Sequence, residues 1–228
     1  LIYKYKVNKC GIEIVKIGII GSGKVGSKLG ELWVKAGHQV MFSFSRNPER
    51  LKALAEQMGS NARHGTPAEA VQFGEVILLA PNFSLAPEAV NQAGSLAGKI
   101  VIDTTNPYRL GENNELVRMV DENASAAEEI LKLVPGARLV KAFSSFQPSS
   151  LQRLADRASE QRLAVAIASD DDEAKAIVSK LAEDCKGKPF DLGSLHNARL
   201  MEIPGPFSFG DNLTLESALA LRKEVLGY

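Results

Sequence analysis

An apolar run, Val15-Lys16-Ile17-Gly18-Ile19-Ile20, passes without a linker into Gly21-Ser22-Gly23-Lys24-Val25-Gly26. Beyond it Val25, Leu29, Leu32 and Trp33 recur at helical spacing as far as Gly37. A glycine triplet alone says little, but between a buried strand and a helix it has a mechanism. The first glycine permits the tight turn, the second lets the backbone approach a pyrophosphate, and the third lets helix and strand pack closely. The helix N-terminus adds free N–H groups and about half a positive charge. The pattern predicts a strand over Val15 to Ile20 and a helix over Ser22 to Ala36. It makes Gly21, Ser22, Gly23, Lys24, Val25 and Gly26 the candidate phosphate cradle.

The rest of the chain repeats the alternation of short β-branched runs with longer helical stretches. Strands are expected at Gln39 to Phe44, Val76 to Ala80, Lys99 to Asp103, Arg138 to Phe143, Leu163 to Ala168 and Pro189 to Leu192. Helices are expected near Pro48 to Met58, Pro67 to Phe73, Ala86 to Ala93, Ala124 to Leu133, Asp170 to Asp184 and Thr214 to Val225. Tyr108 to Asn123 reads as polar and irregular at first. The fold class is therefore α/β, a Rossmann-type doubly wound, mostly parallel sheet with a small C-terminal cap. The expected divisions are an N-terminal extension over 1–14, a dinucleotide-binding body over 15–195 and the cap over 196–228.

A chain of 228 residues is long enough to bury a real core without metal or disulfide support. Its 27 basic residues cancel 27 acidic ones, which argues against a nucleic-acid or anionic-membrane partner held by bulk charge. Cys10 and Cys185 are far apart and form no CxxC pair, as expected of free thiols in a reducing cytoplasm. No apolar run reaches the roughly 18 residues of a spanning helix. Leu1 to Gly11, with lysines at 4, 6 and 9, does not read as a signal peptide.

Gly18 to Val25 nearly spells a P-loop, but Val25 stands where the magnesium-binding hydroxyl belongs and Gly18 falls inside the strand. The cofactor is a dinucleotide, and its type is decided at the end of the second strand. An NAD site usually places a carboxylate there for the ribose 2′-OH. This chain has Ser43-Phe44-Ser45-Arg46-Asn47 and no carboxylate before Glu49. Ser45 can donate to a 2′-phosphate, Arg46 can pair with it, and Arg50 adds a charge one helical turn later. Ser45, Arg46, Asn47 and Arg50 thus favour NADP. Ligands in such sheets lie beyond the carboxyl ends of the strands, which adds Ala80, Pro81, Asn106 and Ala142. Asn106 reads equally well as plain Asn-Pro turn chemistry.

Taken together, the glycine turn, Ser45-Arg46-Asn47-Pro48, Asp103-Thr104-Thr105-Asn106-Pro107 and Val140-Lys141-Ala142-Phe143 stand in the order of a known family. Ala168-Ser169-Asp170-Asp171, Asp191-Leu192-Gly193-Ser194-Leu195 and Ala198-Arg199-Leu200-Met201-Glu202 continue it. The chain resembles the NADP oxidoreductases that use the deazaflavin coenzyme F-420, and is similar to the cytoplasmic domains of membrane metalloreductases that pass electrons from NADPH to flavin. The resemblance implies an NADP-binding body, a C-terminal part that closes over the nicotinamide, a homodimer, and cofactor roles for Ser22 to Val25, Ser45, Arg46, Arg50, Ala80 and Ala142. The implied reaction passes a hydride between NADPH and a deazaflavin or flavin-like acceptor.

Such a transfer rests on positioning more than on acid–base groups, and no catalytic residue and no metal site is assigned. His38, in the turn before a strand, reads as structural, His64 lies in a polar loop and is uninformative, and His196 could touch a substrate. Asp170 to Glu173 read as helix caps rather than metal ligands. Phe207 and Phe209 could line an acceptor pocket, although packing is the stronger reading, and Lys141 reads as a dyad or pocket charge for which the sequence identifies no partner base. Two other functions remain open. One is an NADPH-dependent reductase of another small acceptor such as a quinone, metal chelate, imine or carbonyl. The other is a non-enzymatic NADP-binding sensor.

Overall fold

Central strands that are apolar on both faces need two covering layers, and the computed structural model supplies both. It describes residues 6–7, 13–121, 123–154, 161–208 and 212–228. A two-residue pair, β1 (Lys6–Val7) and β2 (Glu13–Ile14), precedes the sheet. Then β3 (Lys16–Ile20), α1 (Lys24–Ala36), β4 (Gln39–Ser43), α2 (Pro48–Met58) and β5 (Ala62–His64) wind outward in one direction. The chain returns through α3 (Pro67–Phe73) to β6 (Val76–Leu79) beside β3. It continues the other way through α4 (Ala86–Ala93) and β7 (Ile100–Asp103).

A hairpin of β8 (Tyr108–Leu110) and β9 (Leu116–Arg118) is followed by α5 (Ala126–Leu133), β10 (Arg138–Ala142) and α6 (Pro148–Leu154). The last elements are β11 (Ala164–Ala168), α7 (Asp172–Asp184), β12 (Lys188–Asp191) and α8 (Leu215–Leu226). The eight-stranded sheet has the order β12-β11-β10-β7-β6-β3-β4-β5. It is doubly wound, with the reversal of strand order between β3 and β6, where such sheets open a ligand crevice.

Alternation sorts the side chains between the layers. Ile17, Ile19, Val40, Phe42, Leu78 and Ile102 face α1, α2 and α7. Ile20, Ile77, Leu79 and Val101 face α3, α4 and α5. Trp33 is wholly buried, donates from Nε1 to the Leu181 carbonyl at 3.0 Å and meets Phe143 edge-on, tying α1 to α7 and to the end of β10. His38 plays the structural part expected of it. Its Nδ1 accepts from Val15 N at 3.2 Å, so the ring proton sits on Nε2, 3.1 Å from Asp184.

Several elements depart from the sequence reading, among them α6 and the β1–β2 pair, where no helix or strand was expected. β5 is only three residues long and largely polar, so periodicity alone passes over it. The stretch from Tyr108 opens as a hairpin rather than as irregular chain. Finally, β11 pairs antiparallel with β10, so the last two strands run against the rest.

Candidate cofactor cleft

The glycine turn is built as its mechanism requires. Gly21 has φ +106°, and a Cβ there would lie 2.5 Å from Pro81 N at the end of β6. A Cβ at Gly26 would lie 2.1 Å from the Gly21 carbonyl, so α1 sits too close to the turn for any larger residue. Around Gly23 there is nothing within 4 Å of the corresponding position, which leaves open space for a ligand to meet the backbone. Gly23 also caps α1 with no side-chain hydrogen bond, and the first turn of α1 holds no acid. The seven-residue α6 also lacks an acid in its first turn, whereas α2, α3, α4, α5, α7 and α8 each begin with at least one carboxylate. The positive end of α1 is thus left for an external anion.

The turn is fastened to the end of β4. Gly21 N donates to Ser43 O at 3.1 Å, and Ser22 Oγ donates to the same carbonyl at 2.9 Å. Phe44 then takes φ +55°, rare for an aromatic residue, and the chain swings Ser45 and Arg46 outward. Ser45 Oγ accepts from Asn47 N at 3.1 Å, which leaves its proton free to donate. Asn47 is committed to the cap of α2, where its Oδ1 accepts from Arg50 N at 3.2 Å. Among the described residues no ion pair or hydrogen bond engages the charged ends of Lys24, Arg46 or Arg50. Arg46 and Arg50, which share one rim, make an electrostatic trap for an anion there.

A cleft of about 1370 Å³ brings together Gly21, Ser22, Gly23, Ser45, Arg46, Asn47, Arg50, Ala80 and Pro81. Residues 64–67 form its far wall. Lys24 lies on a neighbouring groove between α1 and α2, which Arg50 also borders. Val25 is half-buried and Gly26 buried beneath the turn. Asn106 and Ala142 are elsewhere. Asn106 Nδ2 donates to Ser144 O at 2.8 Å and its Oδ1 accepts from Ile203 N, while Ala142 is wholly enclosed. Both sit at the carboxyl ends of β7 and β10, beyond the lining of the cleft.

Other sequence candidates resolve into structural parts. Asp171 caps α7 through Ala174 N and holds Arg138 at 2.6 Å, and Asp170 accepts from Leu195 N. Paired with Arg138, the Asp171 carboxyl is pushed down to about 2. His196 Nδ1 faces Glu128 at 3.3 Å while its Nε2 accepts from Arg199, away from the cleft. Phe207 packs on Phe190; Phe209 lies outside the described residues. Lys141 has the partners that sequence reasoning missed, Asp103 at 2.8 Å, Thr105 O at 2.6 Å and Glu202 at 3.5 Å. Glu202 also accepts from Ser125 Oγ and from Ala126 N, both at 2.9 Å. It thereby joins the segment after residue 200 to the start of α5 and the end of β10.

Residues 16–107, from the start of β3 to just beyond β7, match the family described as NADP oxidoreductase, coenzyme F420-dependent. Over that span the chain resembles this family. It is similar to Metalloreductase STEAP3 of Rattus norvegicus, 34% identical over 190 residues that make up 83% of this chain and 36% of that protein. The F420-dependent NADP reductase of Methanocaldococcus jannaschii is 25% identical over 152 residues, 65% of this chain and 67% of that one. Among solved structures, a hypothetical protein of Sinorhizobium meliloti, SMa0349, has a TM-score of 0.74 and 24% identity, covering 85% of this chain and 92% of that one. The chain spans little more than a third of the metalloreductases it matches. Family members are NADP-dependent oxidoreductases, and among the described residues no helix is long and apolar enough to cross a membrane.

Proposed function

We propose that the chain binds NADPH in this cleft and passes a hydride to a deazaflavin or flavin-like acceptor. The observation that carries the reading is the cation-rimmed cleft. An uncapped, acid-free helix start lies at its centre. Ser45, Arg46 and Arg50 stand at the rim where an NAD site would hold a carboxylate. In this reading the N–H groups at the start of α1 hold the pyrophosphate, and the two guanidinium groups with the Ser45 hydroxyl hold the 2′-phosphate. Pro81 and Ala80, at the end of β6, supply a flat apolar wall for the nicotinamide end.

When bound, reduced nicotinamide supplies the hydride. The chain's own task is then to hold the donor face, exclude water and set the acceptor at about 3–3.5 Å, and no side chain need exchange a proton. The segment over 196–228 serves as a cap on the nicotinamide end, and a cytoplasmic homodimer is the working assembly. The metalloreductase relatives add ferric chelates to the acceptors worth trying.

A spectrophotometric screen of NADPH oxidation against deazaflavin, FMN, FAD, quinones and ferric chelates tests the proposal. Turnover is expected with a tricyclic acceptor. Tight NADPH binding with no turnover on any of them would instead favour a cofactor sensor.

A further inference from the structure

His64 closes β5 at the carboxyl edge of the sheet, and its exposed side chain lines the same cleft as Ser45, Arg46 and Arg50. Its place is fixed by pairing. His64 lies opposite Phe42 in the β4–β5 register, and Gly65 N donates to Phe42 O at 3.0 Å, two residues before the left-handed turn at Phe44. Its neighbour Arg63 turns to the other face, where its guanidinium carbon lies 5.5 Å from the Phe73 ring centre. Alternation along the strand therefore aims the imidazole toward the cleft.

The charged groups that share the cleft with it are Arg46, Arg50, Glu69 and Glu88. Glu69 is committed to the start of α3, with Oε2 accepting from Thr66 N at 2.7 Å and from Thr66 Oγ1 at 2.9 Å. Those two hydrogen bonds hold its carboxyl below the usual range, and the nearby imidazole adds a smaller lowering. No hydrogen bond engages either ring nitrogen of His64 among the described residues, so both are available to a ligand. Imidazole is the side chain whose charge ordinarily changes between about pH 5 and 8.

Resting on the NADP reading of the cleft, we propose that His64 is a specificity-determining residue. In its cationic form it joins Ser45, Arg46 and Arg50 around the adenosine 2′-phosphate, so its own contribution to the preference for NADP over NAD is largest in mild acid. At alkaline pH the two arginines act alone.

The test is titration of the protein, its His64→Gln variant and its His64→Lys variant with NADP⁺ and NAD⁺, which tolerate mild acid. The 2′-phosphate loses charge near its own second ionisation, but it does so equally for every variant, so each comparison is made with the unaltered protein at one pH. At about pH 6 the His64→Gln change should weaken NADP⁺ binding about fivefold, the scale of one solvent-exposed ion pair; at about pH 8 the loss should be less than about twofold. His64→Lys should retain tight NADP⁺ binding at both, and NAD⁺ binding should be unchanged throughout. Equal NADP⁺ affinity in His64→Gln and the unaltered protein at the lower pH overturns the inference while leaving the cleft assignment standing. Parallel losses for NAD⁺ overturn it in favour of stacking on adenine. An unaltered protein that binds both dinucleotides equally at both pH values removes the NADP reading and this inference with it.

Discussion

Lys141 Nζ stands 2.8 Å from Asp103 Oδ2, and neither side chain touches solvent. The two residues end adjacent strands, β10 and β7, in register with one another. With Glu202 at 3.5 Å the ammonium joins two strand ends to the segment that follows residue 200. Burying three charges is tolerable only because each is met by hydrogen bonds or by its opposite.

Removing the cation leaves two buried carboxylates facing each other. Lys141→Met is expected to lower the unfolding free energy by about 3–5 kcal/mol, read by urea denaturation. Adding Asp103→Asn to that variant should recover part of the loss, because it removes one stranded charge. A loss below about 1 kcal/mol, the level of an exposed pair, would show that the cluster is solvated in solution.

The three glycines of the turn should separate folding from binding. Gly26→Ala meets a backbone oxygen at 2.1 Å and is expected to cost about 1–3 kcal/mol, as overpacking does. Gly23→Ala meets no atom within 4 Å, and its thermal midpoint should shift little. Its NADPH affinity should nevertheless fall by about tenfold, since the new methyl group stands where the proposed reading brings the pyrophosphate against the backbone. Unchanged binding by Gly23→Ala would place the phosphates elsewhere.

Asp171 predicts an acid-dependent term in stability. Arg138 and the Ala174 N–H hold its carboxyl near 2, against 3.8 ordinarily. A depressed folded-state value contributes stability that is present above the ordinary value and lost as pH falls through the depressed one. The advantage of the unaltered protein over Asp171→Asn should therefore be constant above about pH 5 and shrink between about pH 4 and 2. With the pair partly exposed, about 1 kcal/mol is expected at neutral pH. A difference independent of pH over that window would show that the Asp171 carboxyl is not depressed in the folded protein.

The central strand, the glycine turn and the Ser45-Arg46 corner were legible because each is local. A strand-to-helix junction needs three glycines in order, and Ser45 and Arg46 are chain neighbours that line the cleft together. β5 was illegible because Ala62, Arg63 and His64 carry no apolar period, and its pairing with β4 alone makes it a strand. That is also why His64 read as a loop residue. The direction of β11 leaves no mark on its composition, since Val165 and Ile167 suit either orientation. Lys141 was visible as a charge inside an apolar run, but Glu202 comes from a distant segment, and only the folded chain brings the two together.

The central claim is that Arg46 and Arg50 recognise the 2′-phosphate. It is tested most directly by the dissociation constants of NADPH and NADH for the unaltered protein and for the Arg46→Ala/Arg50→Ala variant. The NADPH constant should rise by about tenfold or more, and the NADH constant should change by less than about twofold. Equal weakening of both, or an unaltered protein with no preference between them, would contradict the account.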